Sequence, residues 1–395
     1  MKRRILLTAA GILTVILPLC IGSRALAQKF KKAENAMYWR NEVIATYDNE
    51  GRMVYTPTSD YTRNANALES LLNNDTEKTL VIPEGSKVYL DEVLDIGSNT
   101  TIIANGAEII QKTAKDGVLH HAVDGYQYDA IENVTVIGGH WYNEVNNDAV
   151  TMFRFIHGSN LTFQNVTIDT NYSGHAMTLV ACKDVTVDGC TMVAANPDTK
   201  KKDSVEEALQ LDIAAPNTAP NAGGGQYTNG QVCQNITVKN STLKGSRGMS
   251  SNISKQYPKF YKNYHKNITV ENCELYGESS EGLALFNTVG YTVTDNIITS
   301  AGTVTKGNHS DGLHIILFGK NKSSKNYANS ITGNTIYGKV HGVNMWSFTK
   351  ALYGKTTAKN NHVYTKSGKK SEAFLIRCCT KKAVSGNKIG KWKQS

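Results

Sequence analysis

The sequence predicts an all-β protein wound as a parallel β-helix, a solenoid with a short helical cap at its N-terminal end. Three observations carry this reading. First, short segments ending in an Asn- or Gly-centred turn recur along the chain: "FQNVTI" (Asn165), "VDGCTM" (Gly189), "VKNSTL" (Asn240), "VENCEL" (Asn272), "TDNIIT" (Asn296), "TGNTIY" (Asn334), "AKNNHV" (Asn361) and "VSGNKI" (Asn387). Their spacings of 24, 51, 32, 24, 38, 27 and 26 residues fit one repeat, with loops inserted into the longer ones. Second, each repeat holds two or three brief runs of Val, Ile, Thr and aromatic residues between turn residues. Third, no amphipathic helix exceeds a few turns. Coils of this length pair their backbones with the next coil and stack inward apolar residues into one core. Asn aligned at one turn of successive coils builds a hydrogen-bonded ladder, because its side chain tolerates the left-handed conformation and bonds the backbone.

Residues 1–27 read as an export leader. Lys2, Arg3 and Arg4 precede an apolar run from Ile5 to Ile21, and Ala25-Leu26-Ala27 supplies the small residues of a cleavage site. Cys20 follows Pro18-Leu19 rather than the small residue that lipid attachment needs. Residues 28–78 form an N-terminal extension and cap, in which "NANALESLLNN" from Asn64 is helical. The β-helix domain runs over 79–395, and "TLVIPEGSKVYL" is its first coil.

The second strand of each coil aligns as a polar residue, then Gly or Ala, then alternating apolar residues: "DAVTMF" (Asp148), "HAMTLV" (His175), "EALQLD" (Glu207), "RGMSSN" (Arg247), "EGLALF" (Glu281), "DGLHII" (Asp311), "HGVNMW" (His341) and "EAFLIR" (Glu372). Strand alternation sends the apolar residues inward and their neighbours outward. Three outer columns follow. The first runs through Asp148, His175, Glu207, Arg247, Glu281, Asp311, His341 and Glu372. The second includes Thr151, Thr178, Gln210, Ser250, His314 and Asn344, and the third Phe153, Asp212, Asn252, Phe286 and Trp346. With coils about 4.8 Å apart, residues some thirty positions apart become neighbours.

Charged side chains of both signs in a row are not what a purely structural wall carries. Glu281 beside Asp311 offers paired carboxyls, an arrangement that raises one pKa and suits general acid/base work. Glu207 is the alternative partner, with Arg247 between it and Glu281. Catalysis is therefore expected from Glu281, Asp311, Glu207 and Arg247. Substrate positioning is expected from Gln210, Asp212, His314, His341, Asn344, His175, Trp346 as a sugar platform, and Tyr264 from the aromatic-basic loop "KQYPKFYKNYHK". A solvated charge ladder stapled by Arg247 is the competing structural reading.

The formal net charge is +9, and +5 without the leader. From Lys350 onward there are 12 Lys/Arg and one acid, so these basic C-terminal coils carry +11 and the body between carries −6. Such an end suits an anionic cell-wall surface. Nucleic acid is not expected, since no compact basic helix or recognition motif is present. Six cysteines follow the leader; they match no metal spacing, sit mostly at apolar strand positions and are read as buried thiols. Adjacent Cys378 and Cys379 are expected on opposite sides of a strand.

"EALQLDI", "RGMSSNIS", "NYHKNITVENC" and "EGLALFN" together resemble the pectin-lyase-like right-handed parallel β-helix proteins, over about Thr79 to Ile389. The resemblance implies a right-handed coil and cleavage, or epimerisation, of polysaccharide in a groove along one parallel sheet. "SDGLHI" is similar to the Asn-Thr-Asp-Gly strand of polygalacturonase-type hydrolases, which implies a catalytic carboxylate at Asp311. A paired Asp-Asp motif, Gly-His-Gly, Arg-Ile-Lys and the calcium-binding aspartates of pectate lyases are missing. The expectation is a secreted, monomeric glycoside hydrolase acting on a polysaccharide, acidic or neutral. Two rivals stand beside it. One is a β-eliminating lyase on a uronic-acid polymer, with Arg247 or His341 as base and Ca²⁺ held by Glu207, Asp212 or Glu281. The other is a non-catalytic glycan-binding module of the cell wall.

Overall fold

The computed structural model describes residues 35–113, 117–125, 127–145, 151–194, 206–218, 227–302 and 310–393. The leader, Asp148 and His309 lie outside them. Among the described residues no helix is long and apolar enough to cross a membrane.

Each turn of the right-handed coil lays one strand on each of three sheets, which contain 15, 11 and 10 strands. One turn shows the pattern: His265–Glu271 in the first sheet, Glu274–Gly277 in the second, Leu283–Phe286 in the third. Pairing between turns is parallel and unslipped. In the first sheet Val134, Leu161, Val185, Ile236 and Ile268 stand in one register column. In the third, Leu209, Met249, Leu283, Leu313 and Val343 do the same. All are buried in one continuous core. Deleting such a side chain to Ala costs about 2–5 kcal/mol.

The corner between the first and second sheets corrects the single Asn column. Asn165, Gly189, Asn240 and Asn272 occupy a left-handed position, with φ of 54, 66, 52 and 50°. In later coils that position belongs to Asp295, Gly333, Asn360 and Gly386, because Glu271 pairs with Thr294. Asn296, Asn334, Asn361 and Asn387 sit one residue further and turn inward, each Nδ2 donating to the next Oδ1 at 2.9 Å. A separate outer ladder joins Asn272, Asn240 and Asp188 at 2.8 Å. The two positions share a residue type for different reasons: one needs the left-handed backbone, the other a side chain that satisfies buried carbonyls.

The corner ahead of the third sheet explains the Gly/Ala of the recurring pattern. A Cβ on Gly282, Gly312 or Gly342 would come within 2.7, 2.5 and 2.0 Å of Ile298, Ile336 and Val363 of the next coil. The chain bends there. The residue before the glycine therefore projects to the outer wall instead of following strand alternation inward.

The helix spans Tyr61–Leu72, capped by Asp60 accepting from the Arg63 amide, and buries Leu68, Leu71 and Leu72. Ahead of it, Ala36–Trp39, Glu42–Tyr47 and Met53–Tyr55 pair antiparallel and extend the first sheet. Cys182, Cys190, Cys233 and Cys273 are buried free thiols. Cys378 is a left-handed bend with φ of 56°, and Cys379 makes an isolated parallel bridge to Tyr353, so the pair does not sit within one strand.

Candidate functional site

The outer face of the third sheet carries the site. Register pairs Glu207 with Arg247, and the pairings Met249–Leu283, Leu283–Leu313 and Leu313–Val343 place Glu281, Asp311 and His341 in line behind them. One coil departs from the expected columns. Thr151, not Asp148, stands beside His175, and Arg154 stands beside Thr178. The columns slip there by three residues because "TMFRFI", with Phe153 and Phe155 in the core, is the strand. Glu372 closes the column at its other end from a short helical turn, Lys370–Ala373.

These side chains are not an exposed row; Glu207, Arg247, Glu281 and Asp311 are all buried. Glu207, Arg247 and Glu281 form one hydrogen-bonded chain across the coils. Glu207 Oε1 accepts from Arg247 Nη1 at 2.7 Å, and Arg247 Nη2 lies 2.8 Å from Glu281 Oε2. Glu281 Oε1 lies 2.8 Å from His314 Nδ1, and His314 Nε2 accepts from Trp346 Nε1 at 3.1 Å. The tryptophan bond fixes His314 as the Nδ1–H tautomer, donating to Glu281. The Arg247 guanidinium also lies over the Phe286 ring, 5.4 Å from its centroid.

Asp311 is engaged separately. His341 Nδ1 is 2.8 Å from its Oδ1, and Asn344 donates to its Oδ2 at 2.7 Å. His314 stands between the two carboxyls expected to work as a pair, 2.8 Å from Glu281 and 3.8 Å from Asp311. The His341 side chain is 20% exposed, the most open member of this group.

The two carboxyls of the Glu207 strand are pushed in opposite directions. Burial alone would raise the Glu207 pKa, but the His175 hydrogen bond and the Arg247 charge hold it down to about 2. Ser250 donates to Oε1 at 2.9 Å, Asn252 at 3.3 Å, and Gln210 to Oε2 at 3.4 Å. Asp212, outward-facing five residues on, is raised to about 7, first by burial and then by the Glu207 charge. Its Oδ1 is buried with no hydrogen-bond partner among the described residues. Burial opposes protonation of His175, but its bond to Glu207 wins and raises its pKa. Sequence reasoning placed Asp212 as a positioning residue or a Ca²⁺ ligand, not as an acid. The environment that sets it apart depends on register and burial, which no local motif encodes. His265 was passed over as well: its Nε2 bonds the Asn252 carbonyl at 2.8 Å and its Nδ1 accepts from the Cys233 amide at 3.0 Å, which fixes the strand end beside Asp212.

Tyr264 does not face the groove. It is buried in the core, donates to the Gly319 carbonyl at 2.6 Å and accepts from the Asn321 amide at 2.9 Å. The aromatic surface lies instead at the strand ends, where Phe286, Phe318, Phe348 and Trp346 form a chain of one edge-to-face and two tilted contacts with centroids 4.4–6.0 Å apart. Phe348 is 60% exposed.

A Ca²⁺ ion does not fit Glu207, Asp212 and Glu281. The Arg247 guanidinium occupies the space between the two glutamates, whose oxygens already accept N–H and O–H donors, and a hard cation needs six to eight such oxygens. Among the described residues no group of three or more His, Cys, Asp or Glu is arranged to hold a metal.

No protein-family model matches the sequence, and no curated protein matches it. Solved structures do. PfbA, a surface adhesin of Streptococcus pneumoniae, is similar with a TM-score of 0.54 and 16% identity over 85% of this chain and 80% of its own. ORF18 of Geobacillus virus E2 is similar at 0.55 and 13% over 84% of this chain; the match spans 60% of that protein. Endo-xylogalacturonan hydrolase from Aspergillus tubingensis gives 0.43 and 13%, over 85% and 92% of the two chains. At these identities the likeness is one of fold, and the fold is the right-handed parallel β-helix.

Proposed function

We propose that this chain is a secreted carbohydrate-active enzyme that cleaves glycosidic bonds of a polysaccharide lying along the outer face of the third sheet. One observation carries the reading: two carboxyls share one buried strand, Glu207 ringed by Arg247 and hydrogen-bond donors and Asp212 with an unpartnered Oδ1 among the described residues, which drives their pKa values apart, down for Glu207 and up for Asp212. Such a split assigns an acid and an ionised partner. Asp212, protonated near neutral pH, donates to the leaving oxygen. Glu207 stays ionised and stabilises the positive charge that develops on the sugar ring; water then adds its oxygen to that ring carbon and its proton returns to Asp212. Arg247 and His175 keep Glu207 ionised, and Glu281 and His314 hold Arg247 in place. Gln210, Asn252 and the Trp346–Phe348 aromatics orient the saccharide. Residues 1–27 serve export, and the +11 of the last coils holds the monomer to an anionic wall polymer.

A second reading, β-elimination, is favoured by the Asp311–His341 pair. Asp311 accepts from Nδ1–H, which leaves Nε2 of the partly exposed ring as a base.

A glycan-library digest with product analysis separates the readings. The expected result is new reducing ends without an ultraviolet-absorbing unsaturated end. Asp212→Asn should lower kcat by about 10²–10⁴-fold, and His341→Ala much less. Unsaturated products lost in His341→Ala would replace hydrolysis by elimination. Glycan binding without turnover would make the chain a binding module.

A further inference from the structure

Each coil leaves the third sheet through a corner that leads to the first. At three of these corners the connection is a loop. Residues 252–264 follow the strand Arg247–Ser251, residues 318–328 follow Leu313–Leu317, and residues 348–355 follow Val343–Ser347. Together the three loops hold eight lysines, no arginine and no acidic residue. All eight lysines are exposed. Among the described residues, lysine ion pairs form elsewhere, at Lys87, Lys112, Lys183, Lys239 and Lys244.

The loops are braced against one another. Asn321 Nδ2 donates to the Lys262 carbonyl at 3.0 Å, and the Tyr264 hydroxyl to the Gly319 carbonyl at 2.6 Å. Ser324 Oγ donates to the Leu352 carbonyl at 2.7 Å. A Cβ on Gly354 would meet the Tyr327 carbonyl oxygen at 2.0 Å, so the third loop lies directly on the second. Tyr261, Phe318 and Phe348 bridge all three, with successive ring centroids 5.7 and 4.8 Å apart. In "KQYPKFYKNYHK" Phe260 and Tyr264 are the buried anchors. No lysine head takes part in this bracing, so the charge is held in place and left to the solvent side.

Two large apolar side chains stand out among these charges. Phe348 is 60% exposed and Leu352 43%, with Lys350 between them in the loop. Apolar tips among lysines match an anionic lipid surface. The tips enter the boundary between headgroups and acyl chains, while lysine stems lie along it and their heads reach the anionic headgroups. A saccharide is served less well. An aliphatic Leu gives a sugar ring no aromatic face, and lysine lacks the planar fork that selects one carboxylate or sulfate. We infer that this corner is a peripheral docking surface for an anionic lipid bilayer. The first and last loops lie three coil spacings apart, about 15 Å, so the solenoid docks on its side. The inference does not depend on the proposed catalysis, and a chain without turnover would keep this surface.

The test uses the full chain as wild type, Lys322→Gln/Lys325→Gln, Leu352→Ser, and Lys369→Gln/Lys370→Gln as a control on the basic last coils. Circular dichroism checks that each is folded. Binding is measured by cosedimentation with vesicles of phosphatidylglycerol and phosphatidylcholine in equal parts, with pure phosphatidylcholine vesicles, and by calorimetry with soluble polygalacturonate. Wild type should bind the anionic vesicles and not the neutral ones. Lys322→Gln/Lys325→Gln should weaken vesicle binding about tenfold or more, and the control by less. Leu352→Ser should weaken it about threefold or more and leave polygalacturonate binding as it is. Equal binding to neutral vesicles overturns the inference, as does vesicle binding unmoved by the Lys322/Lys325 pair or by Leu352→Ser. A larger loss in the control than in that pair assigns the binding to the last coils and overturns it too. Polygalacturonate binding that falls with Leu352→Ser as vesicle binding does makes the corner a polymer site instead.

Discussion

Asp212 and Glu207 are five residues apart and chemically alike, and their surroundings make them opposites. Glu207 is met by cations and N–H donors, Asp212 by burial and by Glu207 itself. The sign of the resulting pH dependence can be stated. Asp212 is raised above the ordinary carboxyl range near 4, so the folded chain holds a proton there that the unfolded chain releases. Stability from this group is full below about pH 4 and is lost as pH rises through about 7. Glu207 works in reverse: its contribution is present above the ordinary range and is lost as pH falls toward 2. Denaturant midpoints measured from pH 4 to 8 should fall in wild type and stay flatter in Asp212→Asn. With Asp212 as the acid, kcat/KM should fall as pH rises through about 7, where its proton is lost. Arg247 is the other residue whose loss is decisive. Arg247→Met leaves two buried carboxylates facing each other and should cost about 3–5 kcal/mol, read from the urea midpoint.

The unit of this fold is the coil corner, and corners decided what could be read from the primary structure. The columns Glu207–Arg247–Glu281–Asp311–His341 were legible because Gly282, Gly312 and Gly342 mark one tight corner against Ile298, Ile336 and Val363. Where that mark weakens, register fails. "DAVTMF" satisfied the pattern by letters, yet the strand is Thr151–Ile156, and Arg154 was lost with it. Asn296 and Asn272 looked equivalent but occupy adjacent positions of the corner, one inward and one left-handed. Nor did any local cue show that the outer wall is buried, which turns a charge ladder into a network with separated pKa values. Asn334 tests the inner ladder. It donates to Asn361 and the Val293 carbonyl and accepts from Asn296, so Asn334→Ala strands several buried partners at about 1–3 kcal/mol each. Asn240→Ala on the outer ladder should cost much less, since water replaces its bonds.

Across the whole molecule charge is segregated. The body is acidic and the last coils carry +11, while the proposed acid lies five coils before the final third-sheet strand, Phe374–Ile376. The proposed attachment and the proposed catalysis therefore respond to different conditions. Retention on an anionic wall polymer should fall steeply between about 0.05 and 0.5 M salt, where screening shortens, with turnover of a soluble neutral oligosaccharide hardly altered. Charge reversal at Lys366, Lys369 and Lys370 should reduce retention without touching kcat.

The inner asparagines all hand their hydrogen bonds in one direction, from Asn296 through Asn334 and Asn361 to Asn387, over intervals of 38, 27 and 26 residues. Tension applied at the C-terminal end meets the last rung first. A single molecule stretched from there should unravel as a staircase, its contour-length increments following those intervals, whereas a pull on the N-terminal strands must breach the helix Tyr61–Leu72 before any rung yields.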